Sequence, residues 1–231
     1  MEQAVMSALR ENYERVSTTI SQAAKRAGRD LRAIELVAVS KGASDDVLAA
    51  AIELGMHDFG ENRVTNLVRR AKHFSDQRWH MIGQLQSNKV KELMGHSHLI
   101  HSLDRWSLAE EIERHSARQG IITSALIEVN IAEEPQKAGI VLSDLSEFID
   151  SLGDLPHLQV CGLMCMAPLS EVAEESRPVF RLLAERFQYY RQHGPRFIRM
   201  DCLSMGMSLD YEIAVEEGAT LVRVGSALFD L

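Results

Sequence analysis

The chain has 231 residues, of which 45% are hydrophobic and 25% are charged, proportions that are ordinary for a globular protein. Its formal net charge of −8 at pH 7 argues against non-specific binding to nucleic acid or anionic membranes. No apolar run approaches the roughly 20 residues of a membrane span, and the acidic N-terminal segment lacks the apolar stretch of a signal peptide. We therefore expect a cytoplasmic protein that binds neither nucleic acid nor a membrane.

Apolar residues recur every three or four positions at the start of the chain, which predicts an N-terminal helix ending near Gly28. These residues are Val5, Leu9, Tyr13, Val16, Ile20 and Ala24. Short apolar runs then alternate with longer segments of helical period. The predicted strands are 34–40, 57–60, 79–83, 98–102, 124–130, 158–164, 201–204 and 220–224. The helical segments between them include 47–54, 64–74, 106–118, 142–152, 179–190 and 211–217.

Eight predicted strands, nearly all separated by helices, indicate parallel strands with helical crossovers. Eight such units in a chain of this length are typical of a (β/α)8 barrel, the TIM-type α/β fold. The rival is a doubly wound open sheet, which has a G-x-G-x-x-G turn after its first strand, and "SKGASDD" lacks that motif. No composition break or linker divides the chain, so we expect a single domain, residues 1–231, with an extra N-terminal helix.

The functional site of such a barrel lies at the carboxyl ends of its strands, and a phosphate site is usually built after the seventh and eighth. "SMGMS" after the seventh strand supplies Ser204 and Ser208, and Gly206 would let the backbone approach an anion. Ser208 also precedes a predicted helix, as a capping serine would. Gly225 and Ser226 supply the same elements after the eighth strand. Each turn alone is more typical of a tight turn with a capping serine. Together they favour an anion site.

The first predicted strand ends on a lysine. Strand alternation places Val37, Val39 and Lys41 on one face, so Lys41 would continue an inward apolar stripe to the mouth of the barrel. Partial desolvation there favours the neutral amine and makes Lys41 a candidate for a Schiff base. The alternative is an ordinary strand-end lysine whose ammonium group reaches water.

An arginine lies inside the apolar segment "LVRVG" of the eighth predicted strand. Arg223 needs an acceptor if it is buried, and a carboxylate is one candidate. Another is a heteroaromatic nitrogen, as in pyridoxal-phosphate sites where an Asp or Arg contacts the pyridine nitrogen. A Schiff-base lysine, an anion site and this arginine are together the elements of a site for pyridoxal 5'-phosphate (PLP).

Two other patterns carry less weight. The cysteines Cys161, Cys165 and Cys202 form no regular framework, so we expect reduced thiols that pack as small apolar residues. The tract "HSHLIH" at 96–101 clusters three histidines but lacks the carboxylate spacing of a metal site. We expect no metal ion at either place.

Several longer motifs resemble the PLP homeostasis protein family, single-domain relatives of the alanine-racemase N-terminal barrel. The most specific is "WHMIGQLQSNKVKEL" at 79–93. The segments "VAVSK", "FGEN", "GLMCMAP", "LSMGMSLDYEIAVEEGAT" and "VRVGSALF" match in order. The resemblance covers nearly the whole chain.

The resemblance implies a role for each candidate residue. Lys41 matches the lysine that forms the Schiff base with PLP, Arg223 the arginine at the pyridine nitrogen, and Asn62 a residue lining the cofactor. The phosphate-binding positions match Ser204, Gly206, Ser208, Gly225 and Ser226. The family usually has Gly-Thr where this chain has Gly225-Ser226, and many members have a longer polar turn after the lysine than "GASDD".

The family's function implies a PLP-binding protein of vitamin B6 homeostasis that delivers its cofactor to apo-enzymes without established catalysis. The related racemases use a second domain that supplies a catalytic base across a dimer, and this chain ends directly after the eighth predicted strand. We therefore expect a monomer that is not an enzyme. Two alternatives stay open, a small racemase-type PLP enzyme and a lysine-dependent lyase that acts on a sugar phosphate.

Overall fold

A computed structural model describes residues 2–134 and 136–231 of the chain. Its strands are β1 Glu35–Val39, β2 Asp58–Glu61, β3 Arg78–Met81, β4 Leu99–Leu103, β5 Thr123–Asn130, β6 Ile140–Val141, β7 Leu158–Met164, β8 Cys202–Ser204 and β9 Leu221–Val224. Its α-helices are α1 Glu2–Arg26, α2 Asp45–Glu53, α3 Val64–His73, α4 Val90–Leu93, α5 Trp106–Gln119, α6 Leu145–Ser151, α7 Arg177–His193, α8 Tyr211–Glu216 and α9 Ser226–Phe229. Across these described segments, no helix is both long enough and apolar enough to cross a membrane.

The strands form a closed ring. Hydrogen bonds join them in the order β4-β3-β2-β1-β9-β8-β7-β5, and a further pairing of β4 with β5 closes the circle. Every pairing is parallel, and Val37 of β1 lies opposite Arg223 of β9. The short β6 pairs with the end of β5. The ring confirms the predicted (β/α)8 barrel, and the open-sheet alternative is wrong.

The predicted N-terminal helix is confirmed as α1, which packs outside the barrel against α2, α8 and α9. Leu9 and Val16 are fully buried on its inner face. The Asn12 amide donates to the carbonyl of Leu228 at 3.0 Å, and Arg26 forms ion pairs with two glutamates of α8. The helix α1 therefore holds α8 and α9, the last two helices of the chain, together on the outside of the barrel.

Two hydrophobic clusters divide the interior. The larger lies between strands and helices and includes the outward-facing Ala38 and Phe59. The smaller consists of Val37, Leu99, Leu126, Met164 and Leu221. Leu99 and Leu221 are the first residues of their strands and Met164 is the last residue of β7, and together the five side chains fill the interior of the ring, as side chains do in such barrels. Space for a ligand is left at the carboxyl end.

Three short elements were not predicted. The helices α4 and α9 have four residues each and β6 has two, so none is long enough to show a periodic pattern. The predicted cap at Ser208 is wrong, because α8 begins at Tyr211 after Asp210. The Asp210 carboxylate instead accepts from the Met207 N–H at 2.6 Å, which leaves the Ser208 hydroxyl free for another partner.

Candidate functional site

A cavity of about 520 Å³ opens at the carboxyl ends of the barrel strands. That volume lies within the range of small-molecule sites. Residues from or after seven of the eight ring strands line it: Val39, Asn62, Ile82, Gly83, Gln84, Glu128, Met166, Ala167, Pro168, Leu169, Ser170, Met207, Ser208, Leu209, Asp210, Arg223, Gly225 and Ser226. Its position is the one at which barrels of this type place their function.

Arg223 is the cation of this cavity. Its side chain is buried, with one guanidinium nitrogen donating to the Ser204 hydroxyl at 2.5 Å and the other to the carbonyl of Cys165 at 3.0 Å. Burial lowers the pKa of Arg223 below its ordinary value, which still leaves an arginine charged at neutral pH. The structure therefore holds a fixed positive group at the base of the site.

A chain of hydrogen bonds fixes Arg223 from behind. Ser204 Oγ lies 3.0 Å from His101 Nδ1, His101 Nε2 lies 3.0 Å from His80 Nδ1, and His80 Nε2 lies 2.9 Å from an oxygen of Asp58. Burial holds the pKa of His101 well below its usual range, and the neighbouring charge of Arg223 lowers it further. A neutral His101 has one N–H to give.

Charge fixes the direction of the bonds at the two ends of that chain. Arg223 donates to Ser204, and a neutral His101 donates one of its two bonds, to Ser204 or to His80, and accepts the other. His80 then donates to Asp58, where burial would raise the carboxyl pKa but hydrogen bonds from His80 and Arg78 lower it instead. Such a fully satisfied chain polarises each member and restricts the guanidinium to one position.

A buried carboxyl group also faces the cavity. The side chain of Glu128 on β5 is almost fully buried, and among the described residues its Oε2 atom has no hydrogen-bond partner. Burial raises the pKa of Glu128 to about 7, with Asp104 adding to the rise and Arg223 opposing it. A buried polar atom without a partner indicates that something else donates to it, and a ligand in this cavity is placed to do so.

The turns after β8 and β9 are joined by a serine. Ser208 Oγ accepts from the backbone N–H of Gly225 at 3.1 Å and of Ala227 at 3.4 Å. Gly206 has φ +89°, and a Cβ there would lie 2.5 Å from the Cβ of Ala214. Only glycine fits both that backbone conformation and that contact. Together these contacts place Ser208, Gly225 and the exposed Ser226 side by side on the cavity wall.

Lys41 lies just beyond β1, in a turn at the mouth of the barrel. Its side chain is exposed and is not among those that line the cavity, although Val39 two residues earlier is. The predicted partial desolvation of Lys41 is therefore wrong for this structure. The inward alternation itself holds for Val37 and Val39, but the strand ends at Val39 and the chain turns before a third inward position is reached.

The structure brings five of the eight predicted site residues to the cavity: Asn62, Ser208, Arg223, Gly225 and Ser226. Three are placed elsewhere. Lys41 is exposed at the rim, Gly206 shapes the turn behind Ser208, and Ser204 lies inside the ring between Arg223 and His101. Ser204 is thus placed to orient the arginine and does not face the cavity where a phosphate would bind.

Sequence reasoning missed Glu128 and the histidine chain. Glu128 stands in the apolar strand "ALIEVN" two residues after the inward-facing Leu126, the same signal that singled out Arg223. His101 was weighed as part of a metal tract; the structure makes it a neutral hydrogen-bond partner instead. A search of the described residues finds no group of three or more metal-ligating side chains. The three cysteines are free thiols, and burial raises the pKa of Cys165 to about 12.

Comparison with known proteins places this chain in a family. The model described as the alanine racemase N-terminal domain matches residues 6–231. Pyridoxal phosphate homeostasis proteins of Aquifex aeolicus and Escherichia coli strain K12 are 41% and 36% identical, covering 95% and 97% of this chain and 96% and 97% of those proteins. PipY of Synechococcus elongatus, solved with PLP bound, is 34% identical with a TM-score of 0.80, covering 91% of this chain and 99% of PipY. The chain therefore belongs to the pyridoxal phosphate homeostasis protein family, as its sequence motifs indicate.

Proposed function

We propose that this protein binds PLP and takes part in PLP homeostasis, holding the cofactor through Lys41 and passing it to apo-enzymes. The observation that carries the proposal is the buried Arg223 guanidinium, which faces a cavity whose other wall holds Ser208, Gly225 and Ser226. The names of its relatives and the PLP bound to PipY support the same ligand.

The residues present fit this cofactor. An arginine beside the pyridine nitrogen is one of the known arrangements of PLP sites, and the hydroxyl and N–H groups of the two turns suit a phosphate. The orphaned oxygen of Glu128 adds an acceptor for a polar group of the ring. Asn62 supplies an amide on the wall after β2. Each polar part of PLP thus has a matching group on the cavity wall or at its rim.

Lys41 supplies the attachment point. Its amine condenses with the aldehyde of PLP, forming a C=N bond and releasing the aldehyde oxygen as water. The exposed lysine has a flexible four-carbon stem, so its amine can take several positions at the rim of the cavity. An exposed Lys41 also leaves the attachment open to exchange with water and with other amines.

We further propose that the protein acts as a cytoplasmic, monomeric carrier and not as an enzyme. A bound PLP would act as an electron sink, but an arginine at the ring nitrogen disfavours the protonated ring and weakens that property. The cavity is open at the barrel mouth, so its contents are accessible to a recipient protein. Size-exclusion chromatography with light scattering tests the monomer, and transfer of PLP to an apo-enzyme tests the delivery.

The first test is absorption spectroscopy. Purified protein with excess PLP is expected to show a Schiff-base band that disappears completely in Lys41→Ala, because no other residue at the rim is proposed to attach the cofactor. The exposed Lys91→Ala, whose side chain lies outside the cavity, serves as the matched control and should keep the band. Borohydride reduction followed by mass spectrometry should find the PLP adduct on the peptide containing Lys41. A wild-type protein that shows no band with excess PLP contradicts the proposal.

The second candidate function is a racemase-type PLP enzyme, which Glu128 favours. A carboxyl group with a pKa of about 7 that faces the cavity is suited to proton transfer near neutral pH. Such an enzyme would exchange the α-proton of an amino acid in deuterium oxide, a change visible by proton NMR. Exchange that is present in the wild type and absent in Glu128→Gln would support it, and no exchange with any common amino acid would rule against it.

A further inference from the structure

The lysine at the rim is carried by a defined turn. The Ala43 N–H donates to the carbonyl of Ser40 at 3.0 Å, which closes a four-residue turn with Lys41 and Gly42 at its centre. Gly42 has φ +83°, the value that the third residue of a type II turn requires. The turn leads at once into α2, where the Ser44 hydroxyl accepts from the N–H of Val47. The backbone conformation of Lys41 is thus determined by these residues and by the groups that donate hydrogen bonds to their carbonyls.

An arginine from the neighbouring helix α3 donates hydrogen bonds to both ends of that turn. Arg70 Nη1 lies 2.9 Å from the carbonyl oxygen of Ser40, and Nη2 donates to the carbonyl of Ala43. The two acceptors flank Lys41 and Gly42, so one planar fork spans the turn. Because the guanidinium plane is rigid, its two arms fix the separation of the two carbonyls as well as their direction.

The fork is buried and has its counter-charge beside it. The Arg70 side chain is 5% exposed, and its Nη1 forms an ion pair with Glu61, which is 1% exposed. The Ser40 hydroxyl donates to the same Glu61 carboxylate at 2.6 Å. Glu61 directly precedes Asn62 of the cavity wall. A buried ion pair is costly to form and contributes little net stability, so another use for it has to be considered.

Neither member of this pair belongs to the cavity. Arg70 and Glu61 are absent from the residues that line it, and both approach the turn from the helix side of the barrel. The neighbouring Arg69 behaves differently: it is half-exposed and makes none of the contacts to the turn, although both arginines pair with Asp45, Arg70 through its Nε at 3.8 Å. The contrast between adjacent arginines indicates that the burial of Arg70 is specific to the turn.

We propose that Arg70 is a positioning residue which, with Glu61, holds the turn in the conformation that keeps Lys41 at the rim of the cavity. The inference rests on the proposed function in one respect, since it takes Lys41 to be the point of attachment. Without the fork, the Ser40–Ala43 turn samples other conformations. If the competent one falls to a tenth of the population, the apparent dissociation constant for PLP rises about tenfold.

The test compares two arginine variants at the same substitution. Arg70→Met is expected to raise the apparent dissociation constant for PLP, followed by the Schiff-base band, by roughly tenfold or more. Arg69→Met is expected to leave it within a factor of two, roughly the scatter that an exposed surface pair produces. Arg70→Lys keeps the charge next to Glu61 but offers one compact donor group in place of the fork, and should fall between Arg70→Met and the wild type.

Two further variants separate positioning from stability. Arg70→Met combined with Glu61→Gln removes both buried charges, and should fold even if the single variant leaves Glu61 unpaired. Ile112→Ala, a fully buried core change on α5, should lower the melting temperature and leave PLP binding unchanged. Weak PLP binding in the folded double variant, together with normal binding in Ile112→Ala, supports the positioning role.

Limited proteolysis tests the turn without any cofactor. Trypsin cuts after lysine, and cleavage after Lys41 requires the turn to open, so the ratio of cleavage at Lys41 to cleavage at the exposed Lys91 reports local opening. This ratio should rise at least about tenfold in Arg70→Met and the double variant, following the same loss of the closed turn. Unchanged ratios and unchanged PLP affinity in both would overturn the inference. A wild-type protein that fails to bind PLP would instead contradict the proposed function, and the proteolysis result would still decide the role of Arg70.

Discussion

Replacing Gly206 with alanine is expected to lower the free energy of unfolding by about 2–6 kcal/mol, the sum of backbone strain and overpacking. Gly206 has φ +89°, which disfavours any side chain, and the new Cβ would lie 2.5 Å from the Cβ of Ala214 and 2.9 Å from the Cα of Tyr211. Two backbone segments, the turn and α8, must therefore separate. Urea denaturation followed by circular dichroism measures the change.

The same substitution is expected to weaken PLP binding beyond its effect on folding. The Gly206 carbonyl accepts from the Arg223 N–H at 3.0 Å, and the residues that follow it line the cavity. Gly28→Ala is the matched control, since Gly28 has φ +65° but open space where the Cβ would stand. It should cost only the strain of the left-handed conformation, roughly 1–2 kcal/mol, and leave PLP binding intact. Equal costs at the two positions would show that the contact with Ala214 is unimportant.

Glu128→Gln is expected to stabilise the protein at high pH. Burial raises the pKa of Glu128 from 4.5 to about 7, so the folded state prefers the protonated carboxyl. The contribution of Glu128 to the free energy of unfolding is fully present below about pH 4.5, its unfolded pKa. It is lost as the pH rises towards the folded pKa of about 7 and stays constant above that. A difference of this size corresponds to roughly 3 kcal/mol over the whole window. Glutamine has the same shape and lacks this loss.

The measurement is the free energy of unfolding of both proteins, from thermal denaturation, between pH 5 and pH 8. The free energy of unfolding of Glu128→Gln, minus that of the wild type, should increase by roughly 2–3 kcal/mol from pH 5 to pH 8. The other titrating groups are the same in both proteins, so their contributions cancel. The exposed Glu110→Gln on α5 supplies the baseline for removing one surface acid. An advantage that stays constant from pH 5 to pH 8 would show that Glu128 does not titrate in this range.

The barrel could be predicted from the sequence because its signals are local. Each ring strand is an apolar run between helical segments, and the alternation of eight such units leaves few architectures. Arg223 stood out for the same reason, as a charge inside an apolar strand. Glu128 carries the same signal, a charged residue inside an apolar strand. Each such residue is therefore a candidate for the functional site.

The remaining features depend on residues far apart in the chain. His101 meets Ser204 across 103 positions, and Arg70 reaches Ser40 across 30, so no local pattern announces either contact. The place of Lys41 was mispredicted for a related reason. Alternation fixes which face a strand residue takes, but where the strand ends depends on the turn, and the turn depends on Arg70.

The apolar cluster inside the ring has a consequence for how a ligand enters and leaves the cavity. Val37, Leu99, Leu126, Met164 and Leu221 fill the interior of the ring, and the cavity opens at the carboxyl ends of the strands. Under the proposed function, PLP would enter and leave through this end of the barrel. A protein that supplies PLP and an apo-enzyme that receives it would then compete for the same face of the molecule.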